Sequence, residues 1–385
     1  MRTRALAITL ALGLLTACET TNLAPTVGVN AQLEDDETRL WARAREEEAI
    51  LDQSGFLLRA PETEAYLNGV LARLNPPVLA GGTQIHLRVL VDPHLNAFAL
   101  PDGTIYVHSG ILARLENEAQ LATVLGHELT HATHRDGLKQ VRDLKNKTAF
   151  MAAFNAGTLG VGGLFGALGA AASVSGYAQD LERAADTSGF ELMAGAGYDP
   201  RESTKVFRVL LAEVNRSKEH EPFFFGSHPR LAERLASYEH LVAALAEGRR
   251  EGRIAADDYD AHLPDLLAGN AEAAQRAGDH DFAVASAERL LRIRPGEPRG
   301  SLLLAEIHRK GGSDRDLAEA LRLYRALNQL APDFADPYRG LGLVLLKQGA
   351  KVEAADAFRH YLQLAPKADD RAHIEKSLQL CETKP

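Results

Sequence analysis

The chain has 385 residues, a net charge of −9 and two cysteines. A chain of this length can bury one or two hydrophobic cores. Because the charge balance is acidic and the sequence has no long basic run, composition argues against nucleic acid as a partner.

The N-terminus has the pattern of a secreted lipoprotein. Two arginines precede an apolar run over residues 5–15, which is too short to span a bilayer. The run ends in Leu-Thr-Ala-Cys18, which resembles a bacterial lipobox. We therefore predict a lipoprotein signal peptide over 1–17, lipidation of Cys18 and a polar tether over 18–32. The alternative is an ordinary secretory signal that happens to hold a cysteine.

The predicted lipid anchor has two consequences. By resemblance to lipoprotein sorting in bacteria with two membranes, Glu19 after the cysteine favours the outer membrane. The expected location is therefore the periplasm, with the membrane contacted through lipidated Cys18. Cys381 is the other cysteine, so no intramolecular disulfide can form once Cys18 is acylated.

Helices and a small sheet are predicted next along the chain. Residues 33–58 and 62–74 have helical patterns, and 83–91 alternates apolar and polar residues as a half-buried strand does. Residues 98–107 predict a hairpin with Pro101-Asp102-Gly103 as its turn. An extended peptide can add itself to an exposed edge strand, so Asn96, Ala97 and Phe98 are candidate substrate-binding residues. The alternative, of equal weight, is that these strands only form the small sheet of the fold and do not bind substrate.

The pentapeptide His127-Glu128-Leu129-Thr130-His131 lies in a segment, 116–142, that is predicted to be one helix. Residues four apart share a helix face, so both imidazoles can bind one metal ion. Glu128 is then placed to take a proton from the water that the metal activates. The alternative is two histidines on a helix surface.

A third metal ligand is required, because catalytic zinc takes three protein ligands and keeps one open position. Glu182 and Asp186 are four residues apart on a predicted helix. Glu182 can reach the metal, while Asp186 accepts a hydrogen bond from the distal nitrogen of a ligating histidine. Alone, the pair can equally be an acidic face in solvent.

The charge-free stretch 148–179 is too short for the two membrane crossings that would keep His131 and Glu182 on one side, so we interpret it as a helical hairpin or lid.

Taken together, these motifs resemble the zinc endopeptidase family that contains HtpX and the CaaX prenyl protease. The resemblance covers roughly residues 35–245. Its motifs, in the family's order, are residues 96–110, His127 to His131, the Glu182 and Asp186 pair, residues 195–200, and Ser227-His228-Pro229 followed by Arg234. This chain departs from the family where Arg135 is followed by Asp136 instead of histidine, and where Ala178, Gln179 and Ala184 replace serine, arginine and glutamate.

The resemblance implies a zincin-type domain with one Zn²⁺ per chain, held by His127, His131 and Glu182, with Glu128 as the base. His228 would stabilise the oxyanion or occupy the open coordination position, or it is a plain histidine at a helix start. Arg234 would face the oxyanion, or it is an exposed helix arginine.

From about residue 262 the sequence becomes repetitive. Pro295, Pro332 and Pro366 close successive units at spacings of 37 and 34 residues, so the longer unit has a three-residue insertion, placed around 312–316. The pattern is similar to the tetratricopeptide repeat, in which stacked helix pairs form a concave surface for peptides or partners. An unspecific helical bundle is the alternative.

The predicted fold is mainly α with a small β-sheet, followed by an α-solenoid of helix pairs. The predicted domains are the metallopeptidase domain over 33–248, a linker over 249–261 and the repeat domain over 262–380. The layout is similar to periplasmic quality-control proteases tied to outer-membrane protein assembly. It implies unfolded or misassembled envelope proteins as substrates and assembly machinery as a repeat-domain partner. The competing hypotheses are a non-proteolytic chaperone or scaffold with a self-blocked zinc site, and a membrane-embedded stress protease.

Overall fold

The computed structural model describes residues 23–25, 27–145, 179–217 and 231–383. The predictions for Cys18, for His228 and for all but the last residue of 148–179 lie outside the described residues. Among the helices within the described ranges, none combines the length and the apolar composition needed to cross a bilayer. The expectation of a mainly helical chain with a small sheet is confirmed.

Two helices open the described chain, and both were predicted. Helix α1 (Asp35–Ser54) begins with a capping box in which the side chains of Glu34 and Glu37 each accept from the other's backbone, and it ends at Gly55 with φ 77°. Helix α2 (Pro61–Arg73) has proline in its first turn, where a missing N–H costs no hydrogen bond.

The described residues contain one three-stranded sheet, in the order β1-β3-β2. Strand β1 (His86–Leu90) pairs in parallel with β3 (Thr104–His108), and β2 (Ala97–Ala99) pairs with β3 antiparallel. The predicted hairpin is confirmed, with Gly103 in the turn at φ 96°. Every residue of the central strand β3 is buried, while β2 lies at the edge.

The metal-binding motif lies on a helix that is shorter than predicted. After the short α3 (Ser109–Leu112), helix α4 covers Glu118–Thr133 and α5 covers Asp136–Lys145. The expectation of one helix over 116–142 was therefore wrong. Arg135 lies between the two helices and adopts the left-handed backbone conformation, with φ 60°. Its guanidinium binds the buried carboxylate of Glu37, and this ion pair offsets the cost of that conformation.

Three further helices pack around α4. They are α6 (Gln179–Gly195), α7 (Glu202–Ser217) and α8 (Leu231–Ala244). Helices α6 and α7 contact α4 directly, and α8 packs on both of them. Every residue of α4 is buried, so this helix is the centre of the N-terminal region.

The C-terminal region consists of successive helix pairs. The short α9 (Ala256–Ala261) precedes α10 (Pro264–Ala277), α11 (His280–Ile293), α12 (Pro298–Gly311), α13 (Asp314–Leu330), α14 (Asp336–Lys347), α15 (Lys351–Leu364) and α16 (Arg371–Glu382). Small residues allow close pairing: a Cβ on Gly342 would lie 2.5 Å from the ring of Phe358, and one on Gly340 would lie 2.3 Å from Tyr324. Such contacts between consecutive helices are those that a repeat domain requires.

The segment predicted as a linker packs against both regions. Within 249–261, Tyr259 is fully buried and its hydroxyl donates to the carbonyl of Leu112. The backbone carbonyl of Ile254 accepts from the N–H of Ala119 at the start of α4. One continuous cluster of buried apolar residues extends from the N-terminal region into the helix pairs, so the two regions share a core.

A buried carboxylate anchors the start of α4. Glu118 is fully buried, and it accepts hydrogen bonds from the hydroxyls of Tyr66 and Tyr198, each at 2.7 Å. The guanidinium groups of Arg73 and Arg253 each approach it at 3.0 Å. Because these partners come from α2, from the turn after α6 and from the segment before α9, Glu118 connects three parts of the chain to α4.

We expect Glu118→Gln to lower the free energy of unfolding by about 2–3 kcal/mol, because an amide removes the negative charge from a buried site that holds two cations. Chemical denaturation with circular dichroism measures the change. Glu319→Gln is the matched control, since Glu319 forms an exposed ion pair with Arg322, and it should cost no more than about 0.5 kcal/mol. Equal losses in the two variants would contradict this role for Glu118.

Candidate metal centre

Helix α4 presents both histidines of the motif to one point. His127 and His131 are 3% and 2% exposed, and their Nε2 atoms lie 3.1 Å apart. The rings meet edge to face at 89°. Two imidazole nitrogens that face each other at this distance need a cation between them, either a proton or a metal ion.

Helix α6 brings a carboxylate to the same point. The two carboxylate oxygens of Glu182 lie 3.6 Å from His127 Nε2 and 3.4 Å from His131 Nε2. One donor atom from each of the three residues lies within 4.8 Å of the others. The predicted set of two imidazoles and one carboxylate is thus brought together in the fold.

The donor set fits a zinc ion. Zinc binds histidine nitrogen and carboxylate oxygen at about 2.0–2.2 Å, so tetrahedral ligand atoms lie about 3.3 Å apart. The two Nε2 atoms lie 3.1 Å apart, and those of His127 and His131 lie 3.6 and 3.4 Å from different oxygens of Glu182, which is spacing of the size that one zinc ion needs. Three protein ligands leave one position open, as in catalytic sites.

Carboxylates behind the histidines orient both rings. Asp186 approaches Nδ1 of His127 at 3.1 Å, and Asp136 approaches Nδ1 of His131 at 2.9 Å. Asp136 accepts the Nδ1 proton of His131, so the Nε2 of that ring presents its lone pair to the shared point. Nδ1 of His127 lies 3.1 Å from both the Asp186 carboxylate and the Arg234 guanidinium. The break after α4 makes the second contact possible, because it turns the first residue of α5 back toward His131.

Helix α8 completes the surroundings with a cation. Arg234 is 6% exposed, so the alternative of an exposed helix arginine is excluded. Its guanidinium donates to Asp186 at 2.5 Å and lies 3.5 Å from Glu182. Tyr238 on the same helix is fully buried and packs on Phe207. The guanidinium also lies 3.1 Å from Nδ1 and 3.4 Å from Nε2 of His127. Arg234 therefore contacts the ligand group directly and orients Asp186 and Glu182.

Burial and charge give the two imidazoles different proton affinities. Burial and the neighbouring Arg234 guanidinium lower the pKa of His127 to about 4. Burial also opposes charge on His131, but the carboxylates of Asp136 and Glu182 raise its pKa to about 10. The site therefore favours one positive charge at the point where the ligand atoms meet.

A contact between two glycines sets the distance between α4 and α6. A Cβ on Gly126 would lie 2.6 Å from the carbonyl oxygen of Gly189, and a Cβ on Gly189 would lie 2.7 Å from the backbone of Gly126. Any side chain at either position would push the two backbones apart. Because Gly126 precedes His127 directly and Gly189 lies two turns after Glu182, this contact brings the third ligand to the histidines.

The remaining predicted residues surround the group. Glu128, 1% exposed, lines a cavity of about 10 Å³ together with His127, Phe207 and Arg234, which is room for about one water molecule. The edge strand β2 packs against α4. Asn96 and Ala97 are buried at its start and Phe98 is half-buried, and within the described residues the outer edge of β2 pairs with no other strand.

Sequence reasoning missed Asp136, Gly126, Gly189 and Tyr238. A glycine inside a helix costs about 1 kcal/mol relative to alanine, so both glycines signalled a packing requirement. Asp136 was noted only as a departure from the family pattern. No signal pointed to Tyr238, which enters the site through the packing of α8.

Comparison with known proteins agrees with this geometry. Residues 61–242 match the sequence profile of peptidase family M48. This part of the chain, just under half of its length, is similar to an M48 metallopeptidase domain. The matched range contains the sheet, α4, α6, α7 and all but the last two residues of α8, and thus every described residue of the candidate centre.

Relatives of the M48 domain come from bacteria and from organelles. The chain is 26% identical to the beta-barrel assembly-enhancing protease of Escherichia coli strain K12 over 193 residues, 48% of this chain and 39% of that protein. It is 26% identical to metalloprotease YcaL of the same strain over 259 residues, 63% of this chain and 97% of that protein. It is 32% identical to mitochondrial metalloendopeptidase OMA1 of Arabidopsis thaliana over 129 residues, 34% of this chain and 26% of that protein. The chain thus covers about two fifths of the first relative's length.

We expect Gly189→Ala to lose one bound zinc ion relative to the wild type, because the added methyl group separates α6 from α4. Metal content is measured by atomic emission after dialysis against a weak chelator, and circular dichroism reports helical content. Gly195→Ala is the matched control: Gly195 lies on the same helix with open space at its Cβ position. A Gly189→Ala protein that keeps its full zinc content would show that the glycine contact does not set the ligand geometry.

We expect Asp136→Asn to weaken zinc binding at this centre by about 10–100-fold, since the carboxylate that orients His131 is lost. Competition with a chromophoric chelator measures the affinity. Asp180→Asn provides the control, because Asp180 is exposed on α6 and pairs only loosely with Arg183. Unchanged affinity in Asp136→Asn would mean that the ring of His131 is held by packing alone.

Proposed function

We propose that this chain is a zinc metalloendopeptidase that acts in the quality control or assembly of bacterial envelope proteins. The convergence of His127, His131 and Glu182 from two helices within the M48 domain carries the proposal. The envelope role rests on the resemblance to the beta-barrel assembly-enhancing protease and on the lipoprotein-like N-terminus with Cys18. Anchoring in the periplasm at the outer membrane is part of the same proposal.

In the proposed mechanism, the chain's own residues prepare and move a proton. Zinc, when bound by His127, His131 and Glu182, supplies the Lewis acid that polarises the scissile carbonyl. Glu128 takes a proton from the attacking water and passes it to the leaving amine. His228 is proposed to stabilise the oxyanion or to occupy the open coordination position.

Substrate alignment is proposed to occur at the edge of the sheet. Strand β2 packs against α4 and presents an edge without a partner strand among the described residues. An extended segment of an unfolded protein can pair with Asn96, Ala97 and Phe98 through backbone hydrogen bonds. The scissile bond then lies beside the metal helix. The helix pairs over 262–380 are proposed to bind the substrate or the assembly machinery.

One observation favours a second candidate function. His127, Glu128, His131 and Glu182 are each no more than 5% exposed, so the metal group is largely buried among the described residues. A self-blocked zinc site in a chaperone or scaffold would be buried in this way. The two functions differ in whether the purified chain cleaves an unfolded protein.

We expect Glu128→Gln to lower the rate of cleavage of an unfolded casein-type substrate by about 10²–10⁴-fold, because the general base is lost. Bound zinc should stay at the wild-type level, since Glu128 is not a ligand. Peptide release and zinc content are measured on the same samples. Cleavage that persists in Glu128→Gln would contradict the proposed mechanism. Bound zinc without cleavage in either the wild type or the variant would favour the chaperone or scaffold function.

A further inference from the structure

A second group of metal-binding side chains lies among the helix pairs, far from the peptidase motif in sequence. His280 is the first residue of α11, His308 lies in the last turn of α12, and Asp316 lies in the first turn of α13. The Oδ1 atom of Asp316 is 3.0 Å from His280 Nε2 and 2.9 Å from His308 Nδ1. One donor atom from each residue lies within 4.8 Å of the other two.

Hydrogen bonds on the outer atoms orient two of the three ligands. The Nδ1 atom of His280 lies 3.4 Å from the amide oxygen of Gln275, and its Nε2 atom faces Asp316. The hydroxyl of Ser313 donates to Oδ2 of Asp316 at 2.5 Å, so Oδ1 is the oxygen that faces the two imidazoles. The same serine caps α13 by accepting from the N–H of Asp316, which holds the aspartate at this position.

We propose that His280, His308 and Asp316 bind a second divalent transition-metal ion, of which zinc is the expected occupant. Two imidazole nitrogens and one carboxylate oxygen are the donors that zinc prefers. The side chains are 26%, 13% and 15% exposed, so an ion has an entry path and a fourth position for water. Both imidazole nitrogens lie within hydrogen-bond distance of Asp316 Oδ1, and a metal ion would take the place of their protons.

The longer repeat unit explains how this group arises. The closing prolines Pro295 and Pro332 are 37 residues apart, whereas Pro332 and Pro366 are 34 apart. The extra residues lengthen α13, which has 17 residues where α11 and α15 each have 14, and Ser313 caps its start. The insertion therefore places Asp316 beside two histidines of neighbouring helices.

The proposed ion would join the first two helix pairs. Its ligands come from α11, α12 and α13, and Gln275 adds the end of α10. The neighbouring residue Asp279 is bound by Arg216 of α7, so the group lies beside the joint with the peptidase region. A metal here would fix the spacing of the helix pairs against that region. This role is independent of the proposed protease function.

Zinc content of the purified full chain tests the proposal. After dialysis in a zinc-buffered solution, the wild type should hold two zinc ions per chain. Asp316→Asn and His308→Gln should each hold one, and so should His131→Ala, in which only the peptidase centre is disrupted. Combining His131→Ala with Asp316→Asn should leave none. Circular dichroism confirms that each variant is folded.

The control is His373→Ala, which removes an exposed histidine of the same region and should keep both ions. Cobalt substitution adds a readout, because His131→Ala should retain a visible cobalt spectrum that disappears with Asp316→Asn. A wild type with one zinc ion, or an Asp316→Asn protein with two, overturns the proposal. The cluster would then be a hydrogen-bonded pairing of two imidazoles with a carboxylate.

Discussion

The close approach of α4 and α6 is the constraint on which the candidate centre depends. It is set by Gly126 and Gly189, whose backbones touch without side chains between them. With any larger residue, the carboxylate of Glu182 would move away from His127 and His131. Two glycines in helix interiors lower the intrinsic stability of both helices by about 1 kcal/mol each. This cost is accepted at Gly126 and Gly189 because their contact brings the third ligand, Glu182, to the histidines.

Buried charge holds α4 at both ends. Glu118 binds two arginines and two tyrosines at its first turn. At the other end, the break at Arg135 directs Asp136 back to His131. A buried carboxylate is stable only with such partners. The same contacts that compensate the charges therefore also fix the orientation of the helix that carries the ligands.

The helix pairs are part of the same body as the peptidase region. The side chain of Ser109, which follows β3, donates to Asn270 of α10, and Arg289 of α11 binds the carbonyls of Ala113 and Leu115. These contacts lie between the sheet and the start of the metal helix. The first helix pairs thus lie near the elements that position the candidate centre.

Much of the architecture and of the ligand set was predictable from the sequence. Local patterns identified α1, α2, the hairpin and the repeat periodicity, because helix and strand spacing and turn residues act over short distances. The motif of His127, Glu128 and His131 was also local, since a single helix aligns residues four apart. The proposed partnership of Glu182 and Asp186 with the histidines needed the family resemblance as well, because the two segments are distant in sequence.

Tertiary structure alone decided the rest. The parallel pairing of β1 with β3, the break that turns Asp136 toward His131 and the burial of Arg234 against Asp186 depend on elements that meet only in the folded chain. The group of His280, His308 and Asp316 is likewise assembled from three helices. Residue type and spacing determined which side chains could bind a metal. Packing between distant segments determined which of them meet, because a contact between helices depends on their relative position and not on the sequence of either one.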